Sequence, residues 1–295
     1  MNKISKSGIM RILLEIICMI LLVCGLCASE LYIQPHARGF FCNDETIMYP
    51  YINKATISTS NLIIMPFIFF FLITIGEVIY ARKIRKSSLE LLNSNIPNWL
   101  TLIYQKGGYF VIGAITTVLI GDVTKLTIGR LRPHFMDLCK PDIDCSLPIN
   151  HNKYFNSDEF NCTANITASV LKEARLSFPS GHASLSTYCA VFFIFYLQLR
   201  ITCKSLKLFK YLLQFILVLI VTFVSMTRIA DFWHHWSDVT VGILIGLINA
   251  LVTVFLVADL LKERKTSNVN NDQKINDSNS NGQINILVKN EKLII

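Results

Sequence analysis

Six apolar runs, each long enough to cross a lipid bilayer as a helix, constrain this chain more than any other feature. They occupy residues 12–28, 61–80, 107–128, 182–199, 211–226 and 239–261. A bilayer core of about 30 Å takes roughly 20 residues at helical rise. Hydrophobic residues make up 52% of the 295 residues and charged residues only 16%, which is unlike the balance of a water-soluble globule. We therefore predict an all-α fold, a bundle of six transmembrane helices.

Two details of these runs leave alternatives. The first run also fits a cleaved signal peptide, because Lys3, Lys6 and Arg11 precede it and small residues follow it. Either interpretation delivers the next loop to the outer side of the membrane. Among ionisable residues within the runs, Glu77 lies near one end and could extend to the interface, whereas Asp122 is expected to face other helices.

The distribution of positive charge predicts that both termini lie in the cytoplasm. In that orientation, 18 of the 28 Lys and Arg residues fall in cytoplasmic segments, and the bias is clearest in the short loops, where the positive-inside rule has most force. The net charge of +8 thus fits membrane orientation better than binding to nucleic acid. The predicted organisation is a cytoplasmic N-terminus at 1–11, a membrane domain at 12–262 with outward loops at about 29–60, 129–181 and 227–238, and a disordered cytoplasmic tail at 263–295.

The outward loops carry features of an oxidising, extracytoplasmic compartment. Asn161 and Asn165 each begin an N-glycosylation sequon. Four cysteines, an even number, lie in these loops: Cys42, Cys139, Cys145 and Cys162. Four cysteines allow three pairings. The short separation favours a Cys139–Cys145 bond, and the other two cysteines would then join the first loop to the second.

Three polar clusters that are distant in sequence reach the outer surface in this topology. They are Lys125 with Arg132, the run Pro179-Ser180-Gly181-His182, and Arg228 with His234 and Asp238. Three cations at an interface of low dielectric suit an oxyanion such as phosphate. Free backbone N–H groups at a helix start, beside Ser180 and Gly181, favour an anion as well.

The two histidines could divide the chemistry between a nucleophile and a general acid. His234 and Asp238 are spaced i, i+4, so the carboxylate could hold one ring nitrogen and leave the other free to attack. A zinc site at His234, His235 and Asp238 is disfavoured, because adjacent helical histidines point about 100° apart and the nearby cations would repel a divalent ion.

The three clusters together resemble the three-part motif of the lipid phosphate phosphatases, also called type 2 phosphatidic acid phosphatases. This family is related to glucose-6-phosphatase and the vanadium haloperoxidases. The matching segments are Lys125-x6-Arg132-Pro133, Pro179-Ser180-Gly181-His182 and Arg228-x5-His234-x3-Asp238. The stretches 38–45, 174–178 and 234–239 resemble the animal integral-membrane phospholipid phosphatases in particular. One departure is Thr227, where the family usually has Ser; the hydroxyl is kept.

The resemblance implies the helical core of that family and a two-step phosphoryl transfer. His234 would be the nucleophile and form a phosphohistidine, Asp238 would orient its ring, and His182 would be the general acid. The phosphate oxygens would be held by Lys125, Arg132, Ser180, Gly181 and Arg228. Because protein cations would neutralise the phosphate, no metal and no cofactor are expected.

The resulting hypothesis is a magnesium-independent phosphatase of lipid phosphate monoesters whose active site faces the extracellular space or a lumen. The resemblance implies phosphatidate, lysophosphatidate, sphingosine-1-phosphate and ceramide-1-phosphate as substrates. The expected partners are these lipids and the bilayer, without nucleic acid, and a homo-oligomer stays open. We expect the plasma membrane, with the endoplasmic reticulum or Golgi as alternatives. A lipid phosphotransferase, or a membrane protein that binds phospholipid without turnover, are the other functions considered.

Overall fold

The computed structural model describes residues 6–83 and 97–257, most of which are helical. The helices in these residues are α1 (Lys6–Tyr32), α2 (Thr59–Lys83), α3 (Asn98–Ile128), α4 (Phe135–Cys139), α5 (Ala168–Glu173), α6 (Gly181–Arg200), α7 (Lys207–Ala230) and α8 (Trp236–Val252). Two short strands, β1 (Phe40–Phe41) and β2 (Tyr154–Phe155), pair antiparallel. Single 3-10 turns lie at Glu45–Ile47, Pro148–Asn150 and Lys204–Leu206, and a π-helical turn at Thr253–Val257 extends α8.

The six long helices confirm the prediction of six membrane spans for the described residues. The segments long and apolar enough to cross a bilayer are Ile12–Ser29, Thr59–Arg82, Trp99–Ile128, Gly181–Arg200, Lys204–Ala230 and Trp236–Leu256. The third starts earlier than predicted, so Lys106, which the charge count assigned to a loop, is a buried residue of α3. Residues 1–5, residues 258–261 of the predicted sixth span and the predicted tail at 263–295 lie outside the described residues.

Helix α6 forms the centre of the bundle. It packs against α2, α3, α7 and α8, whereas α1 packs on α3. Accordingly, 67% of the α6 span is buried, compared with 6% of the α1 span. Aromatic side chains fill the space around α6, with Phe110, Tyr188 and Phe192 almost fully buried in one cluster. The helix that carries the second polar cluster is therefore the most deeply buried of the six spans.

Two glycines let α8 approach α6 closely. A Cβ on Gly242 would lie 2.6 Å from the carbonyl oxygen of Ser180, and one on Gly246 would collide with the carbonyl oxygen of Ser184. Small residues four apart allow this kind of backbone contact between membrane helices. Near the helix starts, the Ser180 amide donates to the carbonyl oxygen of Asp238 at 3.0 Å. The starts of α6 and α8 are thus held side by side.

Glu77 does not extend to the membrane interface, so that expectation was wrong. Its side chain is fully buried and accepts two hydrogen bonds from Arg200, Nε to Oε1 and Nη2 to Oε2, both at 2.7 Å. The Arg200 guanidinium also lies 3.9 Å from the centre of the Tyr80 ring. Pairing with an arginine 123 residues away along the chain satisfies the carboxylate inside the bundle and removes the need to reach water.

Replacing Arg200 with glutamine should destabilise the protein by about 3–5 kcal/mol, because it leaves a buried carboxylate without its cation. The thermal unfolding midpoint in detergent measures the effect. The matched control is the double variant Glu77→Gln/Arg200→Gln, which removes both charges and should recover most of the loss. A double variant as unstable as Arg200→Gln alone would contradict this explanation.

The loops that join α1 to α2 (33–58), α3 to α6 (129–180) and α7 to α8 (231–235) meet at one end of the bundle; we call them the first, second and third loops. The Tyr49 amide donates to the carbonyl oxygen of Pro133 at 3.0 Å, and the Thr56 amide donates to Asp231 Oδ2 at 2.7 Å. Tyr49 also stacks on Phe232. The first and second loops share a small hydrophobic core that includes Phe40, Ile47, Leu131, Phe135, Phe155 and Phe160.

The predicted disulfide pairing was wrong, although all four cysteines are bonded. The bonds are Cys42–Cys145 and Cys139–Cys162. Backbone hydrogen bonds align residues 139–142 with residues 161–164, among them Ala164 N to Cys139 O at 3.3 Å. This alignment places Cys139 beside Cys162 and leaves Cys145 to reach the first loop. Short sequence separation did not decide the pairing, because the second loop folds back on itself.

Candidate active site

His234 lies in the third loop with its side chain 4% exposed. Its Nδ1 is 2.7 Å from the carbonyl oxygen of Ser177. Since a carbonyl can only accept, Nδ1 carries the proton and Nε2 has a free lone pair. Burial lowers the pKa of His234 well below its ordinary value of 6.5, and the positive charges of Arg132 and Lys125 lower it further. The ring is therefore neutral at physiological pH, as a nitrogen nucleophile must be.

Asp238 does not form the predicted hydrogen bond with the His234 ring. Its Oδ2 is 3.9 Å from His234 Nδ1. The prediction assumed helical i, i+4 spacing, but α8 begins at Trp236, so His234 lies outside the helix. Ser177 stands between the two residues: its carbonyl binds the His234 ring, and its hydroxyl donates to Asp238 Oδ2 at 2.6 Å. Asp238 is therefore linked to His234 indirectly, through Ser177 and through the amide of the neighbouring His235, which donates to Asp238 Oδ2 at 3.0 Å.

Arg132 offers unpaired nitrogens to the site. The residue is 5% exposed. Its Nη2 donates to Glu173 Oε2 at 2.7 Å, and its guanidinium lies 4.7 Å from the centre of a Trp233 ring. Its Nε and Nη1 are buried and have no hydrogen-bond partner among the described residues. Buried donors of this kind are normally satisfied, so two nitrogens of the fork are available to an acceptor.

Arg228, at the end of α7, is also buried and also has a nitrogen available to an acceptor. It is 1% exposed, its Nη2 is 3.3 Å from Asp231 Oδ2, and its Nε is buried without a partner in the part of the chain that the structure describes. Asp231 also accepts hydrogen bonds from the amide and hydroxyl of Thr56. The amide of His234 donates to the carbonyl oxygen of Arg228 at 3.2 Å. The first loop thus helps to fix Arg228 through Asp231, and the Arg228 carbonyl helps to fix the backbone of His234.

Lys125 and the start of α6 present positive potential together. The Lys125 ammonium is 3.3 Å from Asp122 Oδ1. A Cβ on Gly181 would lie 3.3 Å from the same Lys125 nitrogen, so the ammonium sits beside the first residue of α6. Ser180 caps the helix, with its hydroxyl oxygen accepting from the Ala183 amide. The positive end of the helix dipole and a lysine charge therefore coincide, which favours an anion.

His182, the second residue of α6, is the last of the predicted site residues. Its ring interacts with the backbone of Ser58 in the first loop and lies close enough to all three cations of the site to interact with them electrostatically. Its Nε2 is buried and has no hydrogen-bond partner within residues 6–83 and 97–257. A proton on this nitrogen could be donated to a bound group.

Comparison with known proteins identifies the family. A family model described as PAP2 superfamily matches residues 106–262, more than half of the chain. The chain belongs to the PAP2 superfamily. Phospholipid phosphatase 1 of Rattus norvegicus is 36% identical over 270 residues, which are 89% of this chain and 90% of the relative. Phospholipid phosphatase 2 of Homo sapiens is 33% identical over 264 residues, 86% of this chain and 84% of the relative.

A Drosophila melanogaster protein with phosphatidate phosphatase in its name is 37% identical over 246 residues. The match covers 79% of this chain and 64% of that relative. No solved structure matches the chain. The PAP2 assignment therefore depends on sequence similarity together with the geometry described above.

Several residues around the PAP2 motifs were missed by the sequence analysis. They are Thr56, Arg130, Glu173, Ser177 and Asp231. Ser177 lies in a stretch that resembles the animal enzymes, and Arg130 is two residues before Arg132, so both carried a weak signal.

The hydroxyl of Thr227, the departure from the family pattern, donates to the carbonyl oxygen of Val224 at 2.8 Å within α7, a bond that serine could also make.

A cavity of about 320 Å³ is lined in part by Arg132. Its lining includes Tyr51, Thr59, His134, Glu173 and Trp233. Burial lowers the pKa of His134 to about 4, and its Nδ1 binds the carbonyl oxygen of Phe232 at 2.8 Å, so the ring is a neutral donor to that carbonyl. The cavity gives room beside Arg132 for a substrate larger than phosphate itself.

Proposed function

We propose that this PAP2 protein removes phosphate from lipid phosphate monoesters at the extracellular or luminal side of a membrane, through a phosphohistidine and without magnesium. One observation carries the proposal: buried, unpartnered nitrogens of Arg132, Arg228 and His182 occur in the same site as a neutral His234 with a free Nε2. The names of the similar proteins, phospholipid phosphatase and phosphatidate phosphatase, support the substrate class.

The phosphate would bind where the cations meet. Arg132 and Arg228 would donate from their free nitrogens, Lys125 would supply a third positive charge, and the Ser180 hydroxyl and the Gly181 amide would donate to a further oxygen. This arrangement neutralises a phosphate dianion without a metal ion. In kinases magnesium neutralises this charge. Because protein cations would do so here, we expect activity in the presence of a chelator.

In the first step, His234 Nε2 would attack phosphorus while the bond from phosphorus to the lipid oxygen breaks. His182 would give its proton to the departing oxygen, so that the lipid leaves as an alcohol. The phosphorylated ring would carry a positive charge, and its Nδ1 would keep its proton, hydrogen-bonded to the Ser177 carbonyl oxygen. In the second step, water would attack phosphorus, neutral His182 would take the water proton, and inorganic phosphate would leave.

Topology and charge support the proposed placement in the membrane. The site lies where the three loops meet, at the helix ends, so the headgroup of a lipid could enter while its acyl chains stay in the bilayer. The positive-inside bias, the exposed sequon residues Asn161 and Asn165 and the two disulfides in these loops favour an outward-facing site. We propose the plasma membrane, with the endoplasmic reticulum or Golgi as alternatives.

Purified full-length protein should release phosphate from phosphatidate in mixed micelles at the same rate, within about twofold, in EDTA and in magnesium. Quenching in alkaline detergent during turnover should trap phosphate on the protein in an acid-labile, alkali-stable form, the behaviour of a phosphohistidine. Loss of activity in EDTA would contradict the metal-free mechanism, and absence of turnover in both buffers would leave only lipid binding.

Product analysis separates hydrolysis from transfer. Micelles containing both radiolabelled phosphatidate and unlabelled ceramide should yield inorganic phosphate and no labelled ceramide phosphate. Labelled ceramide phosphate as the main product would indicate a phosphotransferase. Rates with lysophosphatidate, sphingosine-1-phosphate and ceramide-1-phosphate in the same micelles would rank the proposed substrates.

A further inference from the structure

Arg130 is a further cation near the site, and its guanidinium binds Asp238 and Ser237. Its Nη1 lies 2.6 Å from Asp238 Oδ1 and 2.8 Å from Ser237 Oγ. Asp238 is fully buried, whereas the Arg130 side chain is 31% exposed. A partly exposed arginine that binds a buried carboxylate in this way neutralises the carboxylate, so it is not free to bind phosphate.

Arg130, Ser177 and Asp238 form a closed ring of hydrogen bonds. The carbonyl oxygen of Arg130 accepts from the Ser177 amide at 3.0 Å. The Ser177 hydroxyl donates to Asp238 Oδ2 at 2.6 Å. The Arg130 guanidinium closes the ring on the other carboxylate oxygen. Ser177 is thereby fixed through both its backbone amide and its side chain.

The fixed serine is the residue that holds His234. Its carbonyl oxygen accepts a hydrogen bond from His234 Nδ1, with 2.7 Å between the two atoms, which sets the tautomer and the orientation of the ring. The Asp238 carboxylate, held in place by Arg130, lies 3.9 Å from the same nitrogen. The negative charge is thus positioned to stabilise the positive ring that forms when Nε2 is phosphorylated.

We propose that Arg130 and Ser177 are positioning residues that act with Asp238 to orient His234, and that Arg130 is not a phosphate ligand. The proposal rests on the proposed phosphatase function. It assigns the second loop a role in catalysis beyond Arg132, because both new residues come from that loop. Charge count alone would place Arg130 with Lys125, Arg132 and Arg228 in the phosphate site.

The two roles predict different kinetics. If Arg130 positions His234, Arg130→Ala should lower kcat for phosphatidate about 10- to 100-fold and leave KM, and the inhibition constant of orthovanadate, within about threefold of wild type. Arg130→Lys should recover part of the loss, since it keeps the charge but not the fork. Ser177→Ala, which keeps the backbone carbonyl, should lower kcat about 10-fold, again without a large change in KM.

The two substitutions should also be non-additive, because both act through Asp238. The double variant Arg130→Ala/Ser177→Ala should lose little more kcat than the worse single variant. Arg38→Ala, at an exposed arginine of the first loop, is the matched control and should retain wild-type kinetics. Rates are calculated per folded protein, taken from the monodisperse size-exclusion peak, so that a variant that folds poorly still reports its turnover.

Two results would overturn the inference. An Arg130→Ala variant with unchanged kcat but strongly raised KM and vanadate inhibition constant would make Arg130 a phosphate ligand. Wild-type kinetics in both Arg130→Ala and Ser177→Ala, with His234→Ala inactive, would show that the ring does not position His234 and would leave the proposed function standing. A wild-type protein without turnover would overturn the function and the inference with it.

Discussion

Replacing His234 with alanine should lower the turnover of phosphatidate by on the order of 10⁴-fold or more, because removal of a covalent nucleophile disables the whole catalytic unit. His234 is the residue whose Nε2 is left free by the Ser177 carbonyl and whose pKa is lowered enough to keep it neutral. Phosphate release from phosphatidate micelles measures the loss. The acid-labile phosphate on the protein should disappear in the same variant.

The matched control for His234 is another histidine from the same end of the bundle. His151 is exposed on the second loop, so His151→Ala should keep wild-type turnover. The size-exclusion profile of His234→Ala should match wild type. The backbone amide at this position still donates to the carbonyl oxygen of Arg228 and so helps to hold the third loop. A His234→Ala protein that turned over phosphatidate at the wild-type rate would exclude His234 as the nucleophile.

Arg228→Ala should lower kcat/KM by about 10²- to 10³-fold, the usual cost of removing one preorganised donor to a developing oxyanion. Arg228 is almost completely buried and its Nε has no partner in the described chain, so a bound phosphate would meet it in a site with little water. Arg228→Lys keeps the charge but loses the fork and should recover only part of the loss. Inhibition by orthovanadate should weaken in both variants.

Lys54→Ala removes a cation that is exposed on the first loop and should leave kcat/KM and vanadate inhibition unchanged. This comparison separates a specific contact from a general loss of positive potential. If Arg228→Ala lowered the thermal midpoint without lowering kcat/KM, then Arg228 would serve mainly to hold Asp231 and the first loop. Raising ionic strength should have little effect on wild type, because buried charges are weakly screened.

The six spans and the gathering of three motif clusters at one end could be predicted because they depend on local properties. Apolar run length reports directly on the cost of placing backbone and side chains in lipid. Once six crossings are assigned, alternation of direction alone places Lys125, His182 and His234 at the same end. No knowledge of side-chain packing was needed for either step.

The pairings inside that framework could not be predicted, because they depend on contacts between distant segments. Glu77 finds Arg200 across 123 residues, and Cys42 finds Cys145 across 103. The partner of His234 is a backbone carbonyl, and every residue has one, so sequence gives no sign of which is used. The i, i+4 argument for Asp238 failed for a related reason. It required His234 to lie inside the helix, whereas α8 begins two residues later, at Trp236.

The glycine contact between α6 and α8 has a consequence for how substitutions in this protein are interpreted. Gly242 and Gly246 carry no side chain that could take part in chemistry, yet they permit the close approach of two backbones whose starts lie beside His182 and His234. A bulkier side chain at either position would collide with the α6 backbone and should move the starts of α6 and α8 apart. A survey that scores only the amount of protein in the membrane would not detect this kind of damage.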